Sequence, residues 1–381
     1  MAKLFRVTTV PISVEKLLGN QLTYMNQFFQ VTAISADEDN LKKAADKLGV
    51  HCHAIEMTRK ITPLADLVSL WKMYRYFKKE RPDIVHTHTP KAGLIGMMAA
   101  KLAGVKVRLH TVAGLPLMET TGAKRKVLDL VEKFTYSCAV KVYPNSVGLR
   151  DFILKEKFCA PDKLKIIGNG STNGIDTGFF RAELFSEEKN LSLRNELGIS
   201  RNDFVFIFVG RLVKDKGINE LVAAFKKLDR PDVKLLLVGP YETELDPLAP
   251  ETLREIENNS DIITVGYQKD VRPYFAISDA LAFPSYREGF PNVVLQALAM
   301  EVPVIVTDIN GCNEIVEDGH NGIIVPPKRV EELHSAMEHF LERDFYDRIN
   351  SEARNSILRY DQKALWEEIH REYNALLDSK G

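Results

Sequence analysis

Short runs of β-branched and aromatic residues alternate, from one end of the chain to the other, with longer stretches of helical period. In the first half the spacing predicts strands over Leu4–Val10, Val31–Ile34, Ile84–His88, Val105–Val112, Lys141–Pro144 and Lys165–Ile167. Helical patterns lie between them, as at Leu94–Ala103 and Arg125–Ala139. In the second half it predicts strands over Phe204–Val209, Lys234–Val238, Ile262–Val265, Ala280–Phe283, Val304–Val306 and Gly322–Val325. Helices are expected there at Ile218–Leu228, Val271–Ile277, Asn292–Ala299 and Val330–Glu342. Such α/β alternation builds parallel sheets with helices on both faces. The unbroken apolar run FVFIFV is what a strand buried on both faces looks like.

The length of 381 residues suits two domains or three, at roughly 100–200 residues each. The alternation is interrupted between about Gly168 and Asp203, a stretch rich in Gly, Asn, Ser and charge, which places a domain junction near Gly170–Asp176. The expected domains are residues 1–172 and 173–362, followed by a C-terminal helical segment, 363–381, with no strand after it. No repeat of solenoid period is visible. The expected architecture is two doubly wound α/β domains facing each other across a cleft. Ligands bind such sheets outside the carboxyl ends of the strands, so the loops that follow each strand are where chemistry is sought.

Composition removes several classes of function. With 45% apolar and 27% charged residues the chain is an ordinary packed protein, not a disordered scaffold. No stretch approaches the roughly 20 apolar residues that span a bilayer. The N-terminal run, broken by Pro11, reads as a first strand rather than a signal peptide. Cys52, Cys138, Cys159 and Cys312 are scattered without a CxxC pair, so neither a zinc site nor a disulfide framework is expected. A cytoplasmic protein is the expectation. The net charge of −1 hides an imbalance. Residues 1–170 carry 27 Lys and Arg against 15 Asp and Glu, and the remainder 24 against 37. One half therefore suits an anionic partner: nucleic acid, anionic lipid or a phosphorylated substrate.

Two loops carry the clearest chemistry. After Phe204–Val209 comes Gly210-Arg211-Leu212-Val213-Lys214-Asp215-Lys216-Gly217, then a helix. Gly210 permits a sharp turn, and Arg211 and Lys216 sit at a helix N-terminus, itself an anion site. The Arg fork matches phosphate oxygens and the Lys adds a point charge; the plainer reading is two basic residues beside a helix end. GxxxxGK[ST] is absent, which argues against ATP hydrolysis. After Ala280–Phe283 comes Pro284-Ser285-Tyr286-Arg287-Glu288-Gly289-Phe290-Pro291-Asn292, again opening a helix. Glu288 either binds sugar hydroxyls or merely complements the helix dipole. Gln296, eight residues on, falls about two turns later on the same side.

Taken together, Arg211-x4-Lys216-Gly217 and Glu288-Gly289-Phe290-Pro291 with a polar residue eight positions after the Glu resemble the donor half of glycosyltransferase family 4. The resemblance extends over the whole chain, including Pro303-Val304-Ile305-Val306-Thr307-Asp308 and the Asn321-Gly322 turn. It implies a retaining, metal-independent enzyme of the GT-B fold, with Rossmann-like domains for acceptor (1–172) and nucleotide-sugar (173–362) and a last helix crossing back to the first domain. It is similar to bacterial enzymes that build capsule, O-antigen or N-glycan precursors on polyprenyl diphosphates. By that resemblance Arg211, Lys216 and Glu288 are the catalytic residues. Gly19, Gly210, Gly266, Tyr267, Gly289, Phe290, Pro291, Asn292, Val293 and Gln296 border the donor. No cofactor and no metal is implied. Two positions depart from the family pattern. Gln296 stands where a second Glu usually binds ribose, and an amide still offers an acceptor and a donor. Ala113 stands where a His is usual, and His110, three residues earlier, faces the opposite side of its strand.

On the acceptor side the candidates are His88, Lys91, His110, Lys124 and Arg125. His86 and His88 flank one residue, but without a third ligand a metal is not expected. Two basic stretches account for the positive half: the segment Leu64, Leu67, Val68, Trp71, Tyr74 at helical spacing with Lys72, Arg75, Lys78 and Lys79, and Lys124-Arg125-Lys126 after the apolar loop Leu115–Met118. An amphipathic basic helix can lie in a membrane interface, or it can pack its apolar stripe on the sheet. No nucleic-acid-binding module accompanies the charge. The expected partners are a nucleotide-sugar, a lipid-linked saccharide and, through the basic first domain, the inner face of the cell membrane. The expected activity is transfer of a hexose or N-acetylhexosamine from a UDP-sugar to a lipid-diphosphate-linked saccharide. The rival is a non-catalytic nucleotide-sugar-binding subunit; a sugar-nucleotide epimerase and a nicotinamide oxidoreductase fit less well.

Overall fold

A computed structural model describes residues 1–58, 60, 62–242 and 246–379. The chain forms two compact units: Met1–Gly174 with the segment from Gln362 onward, and Ile175–Asp361. Each unit is built on a six-stranded sheet. The first holds β1 (Lys3–Val7), β2 (Gln30–Ser35), β3 (His51–Ala54), β4 (Ile84–Thr87), β5 (Val107–Val112) and β6 (Lys141–Pro144), in spatial order β3-β2-β1-β4-β5-β6. The second holds β7 (Phe204–Val209), β8 (Val233–Val238), β9 (Ile262–Gly266), β10 (Ala280–Phe283), β11 (Val304–Thr307) and β12 (Gly322–Val325), in order β12-β11-β10-β7-β8-β9. Every strand pair is parallel. The order reverses between β1 and β4 in the first sheet and between β7 and β10 in the second. Those are the switch points at which a doubly wound sheet opens a crevice for ligand.

The strand in the middle of the second sheet is the FVFIFV run, and Val205, Phe206, Ile207 and Phe208 are all fully buried. The helix that follows, Ile218–Leu228, buries Ile218, Leu221, Val222, Ala224 and Phe225, the spacing of one apolar face. The helix Gln362–Asp378 lies on the first sheet, where Leu365, Trp366, Ile369, Tyr373 and Leu376 pack with Leu4, Val31, Ile84 and Leu109. Trp366 Nε1 donates to Asn173 Oδ1 at 2.7 Å, and Tyr143 Oη donates to Glu372 Oε1 at 3.0 Å.

One expectation is corrected. Lys165–Ile167 is not a strand: Leu164 makes an isolated bridge to Val142, Lys165 N donates once to the Val142 carbonyl, and the chain then turns at Gly168 and Gly170, both with positive φ. The sixth strand of that sheet is instead β3, whose sequence HCHA is polar and largely open to solvent because it lies at the sheet edge. Of the apolar residues of the basic segment, Tyr74 packs against the core of the first unit. In the helix Pro63–Glu80 the buried residues are Ser69, Met73 and Phe77, while Leu64, Leu67, Val68 and Trp71 are between 53% and 82% exposed.

Candidate active site

The switch point of the second sheet brings together the two loops that the sequence singled out. Gly217, with φ of +72°, caps the Ile218–Leu228 helix so close to the next loop that a Cβ there would stand 2.1 Å from the Pro284 carbonyl oxygen. Only glycine permits that approach. Across the junction Lys216 Nζ forms an ion pair with Glu288 Oε1, both side chains about four-fifths buried (18% and 17% exposed). Ser285, wholly buried, donates its hydroxyl to the same carboxylate oxygen at 2.9 Å. The loop is fixed further by Asn310 Nδ2, donating to the Glu288 and Gly289 carbonyls at 3.2 and 2.8 Å, and by Thr307 Oγ1 donating to the Ser285 carbonyl. Arg287 pairs with Asp215 at 3.0 Å and Tyr286 Oη donates to Glu220 at 2.7 Å, so each side of the junction holds the other.

Arg211, half exposed, forms an ion pair with Glu242 from the loop after β8. An exposed pair of this kind is worth little and exchanges readily for a stronger anion. Gly210 takes a φ of +156° at the end of β7, and Gly266 closes the edge strand β9 with Tyr267 beside it, 66% exposed. Phe290 is a core residue, its ring 5.4 Å from that of Tyr360. Pro291 is buried as the residue before the Asn292–Ala299 helix, while Asn292 is exposed and Val293 and Gln296 are half-buried. Gly289 is placed against Gly311, which also has positive φ and where a Cβ would stand 2.5 Å from the Gly289 carbonyl oxygen. Lys216 and Glu288 therefore meet where the loops after two neighbouring strands come together, close to the start of the Asn292–Ala299 helix, with Arg211 in the same loop as Lys216 and paired with Glu242.

A family model described as glycosyl transferases group 1 matches residues 190–356, and one described as a glycosyl transferase 4-like domain matches residues 22–170. A capsular polysaccharide biosynthesis glycosyltransferase of Staphylococcus aureus is 33% identical over 385 residues, covering 100% of this chain and 99% of that protein. The chain is a family 4 glycosyltransferase. An Escherichia coli UDP-Gal:α-D-GlcNAc-diphosphoundecaprenol α-1,3-galactosyltransferase is 28% identical to it, over 87% of this chain and 85% of that protein. The solved structure of Anabaena HepE with UDP and glucose superposes on this glycosyltransferase with a TM-score of 0.84, at 19% identity, covering 98% of this chain and 100% of that one. Its fold is thus that of the GT-B enzymes.

The residues expected on the acceptor side of the glycosyltransferase lie in the first unit. Lys91 is paired with Asp66 at 2.5 Å and so fastens the Pro90–Ala103 helix to Pro63–Glu80. Arg125 bonds Asp129 at 2.6 Å and Glu156 at 2.9 Å. Its neighbour Lys124 is exposed. His110 is buried on β5 and shares a 2.7 Å hydrogen bond with Thr87. Gly19, with φ of +47°, opens the helix Asn20–Met25, and Gln21 of that helix reaches Asn173 at 3.1 Å. His88 lies just beyond β4 and bonds Arg6, a residue that the sequence alone did not mark. Among the described residues no three His, Cys, Asp or Glu side chains converge as a metal site, and no helix is long and apolar enough to cross a membrane.

Proposed function

We propose that this glycosyltransferase moves a hexosyl or N-acetylhexosaminyl group, with retention, from a UDP-sugar to a saccharide carried on a polyprenyl diphosphate, in the assembly of a capsule-type polysaccharide. The single observation that carries the reading is the Lys216–Glu288 pair at the β7/β10 switch point, with Arg211 in the same loop as Lys216. Lys216 and Arg211 stabilise the charge that grows on the departing diphosphate, usually the largest catalytic term, and supply it without a divalent metal. Glu288, held by Ser285, orients the sugar and stabilises positive character at its anomeric carbon. The bond from that carbon to the diphosphate oxygen breaks, the acceptor oxygen bonds to the carbon on the same face, and the acceptor's proton passes to the diphosphate. The names of the S. aureus and E. coli relatives support the polysaccharide setting, the UDP donor and the lipid-diphosphate acceptor.

The same reading places the enzyme peripherally at the inner face of the membrane. Leu64, Leu67, Val68 and Trp71 emerge from a helix that also presents Lys72, Arg75, Lys78 and Lys79. The Gly122–Cys138 helix, packed on the other side of Pro90–Ala103, adds exposed Val127, Leu130 and Phe134 with Lys124, Lys126 and Lys133. Apolar and cationic side chains on one surface suit an anionic bilayer.

Gln296 in place of the usual Glu, with Ala113 in place of His, favours a second reading, a subunit that binds nucleotide-sugar without transferring it. A panel of UDP-, GDP- and ADP-sugars with EDTA, with and without a polyprenyl-diphosphate-linked sugar, separates the two. Acceptor-dependent release of UDP is expected; saturable donor binding without release would replace the transferase with the subunit.

A further inference from the structure

Arg6 lies on β1 beneath the Gln362–Asp378 helix and is 1% exposed. Its guanidinium donates to His88 Nε2 at 3.0 Å, Tyr373 Oη at 3.1 Å and Gln21 Oε1 at 2.6 Å. All three acceptors are neutral groups. Burial raises the Tyr373 hydroxyl away from ionisation and pushes His86 and His88 well below their ordinary values, so the cluster holds one positive charge and no negative one. Among the described residues no Asp or Glu pairs with Arg6. A buried cation without a counter-charge is among the costliest arrangements a core can hold.

The surroundings are short of the same thing. His88 Nε2 accepts from Arg6, so the neutral ring carries its proton on Nδ1, and that buried Nδ1 has no partner. Asn145, just beyond β6, bonds Thr172 through Nδ2 at 3.3 Å and leaves Oδ1 buried and unpartnered; turned over, its amide presents an N–H instead. These side chains, with Gln21 and His86, line a cavity of about 20 Å³, room for one oxygen with its hydrogen-bond partners. It lies at the carboxyl end of β1 and β4, the switch point of the first sheet.

We infer that Arg6, His88 and Asn145 form an oxyanion site that receives one oxygen of a phosphate group, the rest of the group remaining outside the cavity. The chemistry stands on the cluster alone. Naming the acceptor's diphosphate as its source, rather than the donor or a free anion, rests on the transferase reading above. Arg6 then serves the first unit as Arg211 and Lys216 serve the second, with the difference that it is built in place before the anion arrives.

The test is thermal unfolding and calorimetric titration of the full chain with inorganic phosphate, inorganic diphosphate, UDP and farnesyl diphosphate. The proteins are wild type, Arg6→Met, His88→Gln and the double variant Arg211→Ala/Lys216→Ala. Farnesyl diphosphate is expected to stabilise the wild type and the double variant alike, and the shift is expected to vanish in Arg6→Met. His88→Gln keeps an acceptor for Arg6 but loses the Nδ1–H, and is expected to bind about tenfold more weakly. Stabilisation by inorganic diphosphate but not by farnesyl diphosphate would overturn the acceptor as the source. An undiminished shift in both Arg6→Met and His88→Gln, or no anion-dependent shift in the double variant, would show that the cavity takes only water and overturn the site. No sugar transfer by the wild type from any donor of the panel above, with its anion response intact, would instead count against the transferase reading and leave the site standing.

Discussion

Lys216 and Glu288, 72 residues apart in sequence, form a single ion pair that joins the loops after β7 and β10. Neither strand's loop could build the site alone. The pair exists because the sheet order reverses between these strands and sets their ends side by side.

Separating that pair distinguishes function from stability. Lys216→Ala and Glu288→Gln are each expected to lower kcat by about 10²–10³, the usual cost of removing one preorganised charge from a transition state. Circular dichroism is expected to show an intact fold, and steady-state kinetics with saturating UDP-sugar checks the rate.

Arg211 tests geometry rather than charge. Its ion pair with Glu242 is half exposed, so Glu242→Gln is expected to change stability by less than about 0.5 kcal/mol. Arg211→Lys keeps the charge but loses the planar fork, and is expected to reduce donor turnover about tenfold or more. Wild-type turnover in that variant would deny Arg211 a bidentate role.

Gly217→Ala is expected to damage both folding and catalysis. A β-carbon there meets the Pro284 carbonyl, and φ of +72° is strained for any other residue. A loss of about 1–3 kcal/mol in denaturant titration is expected, with kcat falling further than the unfolded fraction explains. An alanine at Gly104, where the glycine conformation is similar but nothing lies within 4 Å, is the control.

Acid should destabilise the first unit in a defined window. Burial holds His110 down at about 4 and His86 and His88 well below their ordinary value, so the unfolded chain takes up protons near pH 6.5 that the folded one refuses. Stability is therefore present above pH 6.5 and lost as pH falls toward 4. Glu132 acts oppositely. Burial raises it to about 7, so its folded form holds a proton that the unfolded chain has released, and stability falls as pH rises from about 4.5 through 7. Glu132→Gln is expected to raise the melting temperature at pH 8 and leave it nearly unchanged at pH 4, as calorimetry across that range would show.

On vesicles containing anionic lipid, Leu67→Glu combined with Trp71→Glu is expected to abolish binding in flotation while the melting temperature stays fixed. Both side chains are exposed and contribute no core packing.

Sequence patterning located most of the second unit because its strands are apolar and its loops are marked by glycine and charge. Gly210, Arg211, Lys216 and Glu288 were legible for that reason. The first unit was less so where polarity and position disagree: β3 is a strand made of His51, Cys52, His53 and Ala54, stabilised by its neighbour β2 rather than by its own apolar content. The ion pairs of Lys91 with Asp66 and of Arg125 with Glu156 span 25 and 31 residues and so were not legible in the sequence. Ser285 was visible in its loop without a role, and Arg6 was hidden inside an ordinary strand pattern. What singles it out is that no Asp or Glu among the described residues pairs with it, a three-dimensional fact.

The Gln362–Asp378 helix has one more consequence. It supplies Leu365, Trp366, Ile369 and Tyr373 to the core of the unit that begins at Met1, whereas the unit Ile175–Asp361 is a single uninterrupted stretch. During synthesis the first half is expected to leave the ribosome with this core lacking the share that Gln362–Asp378 supplies. The second unit can close first, so the order in which the two units finish folding runs against the order in which they are translated.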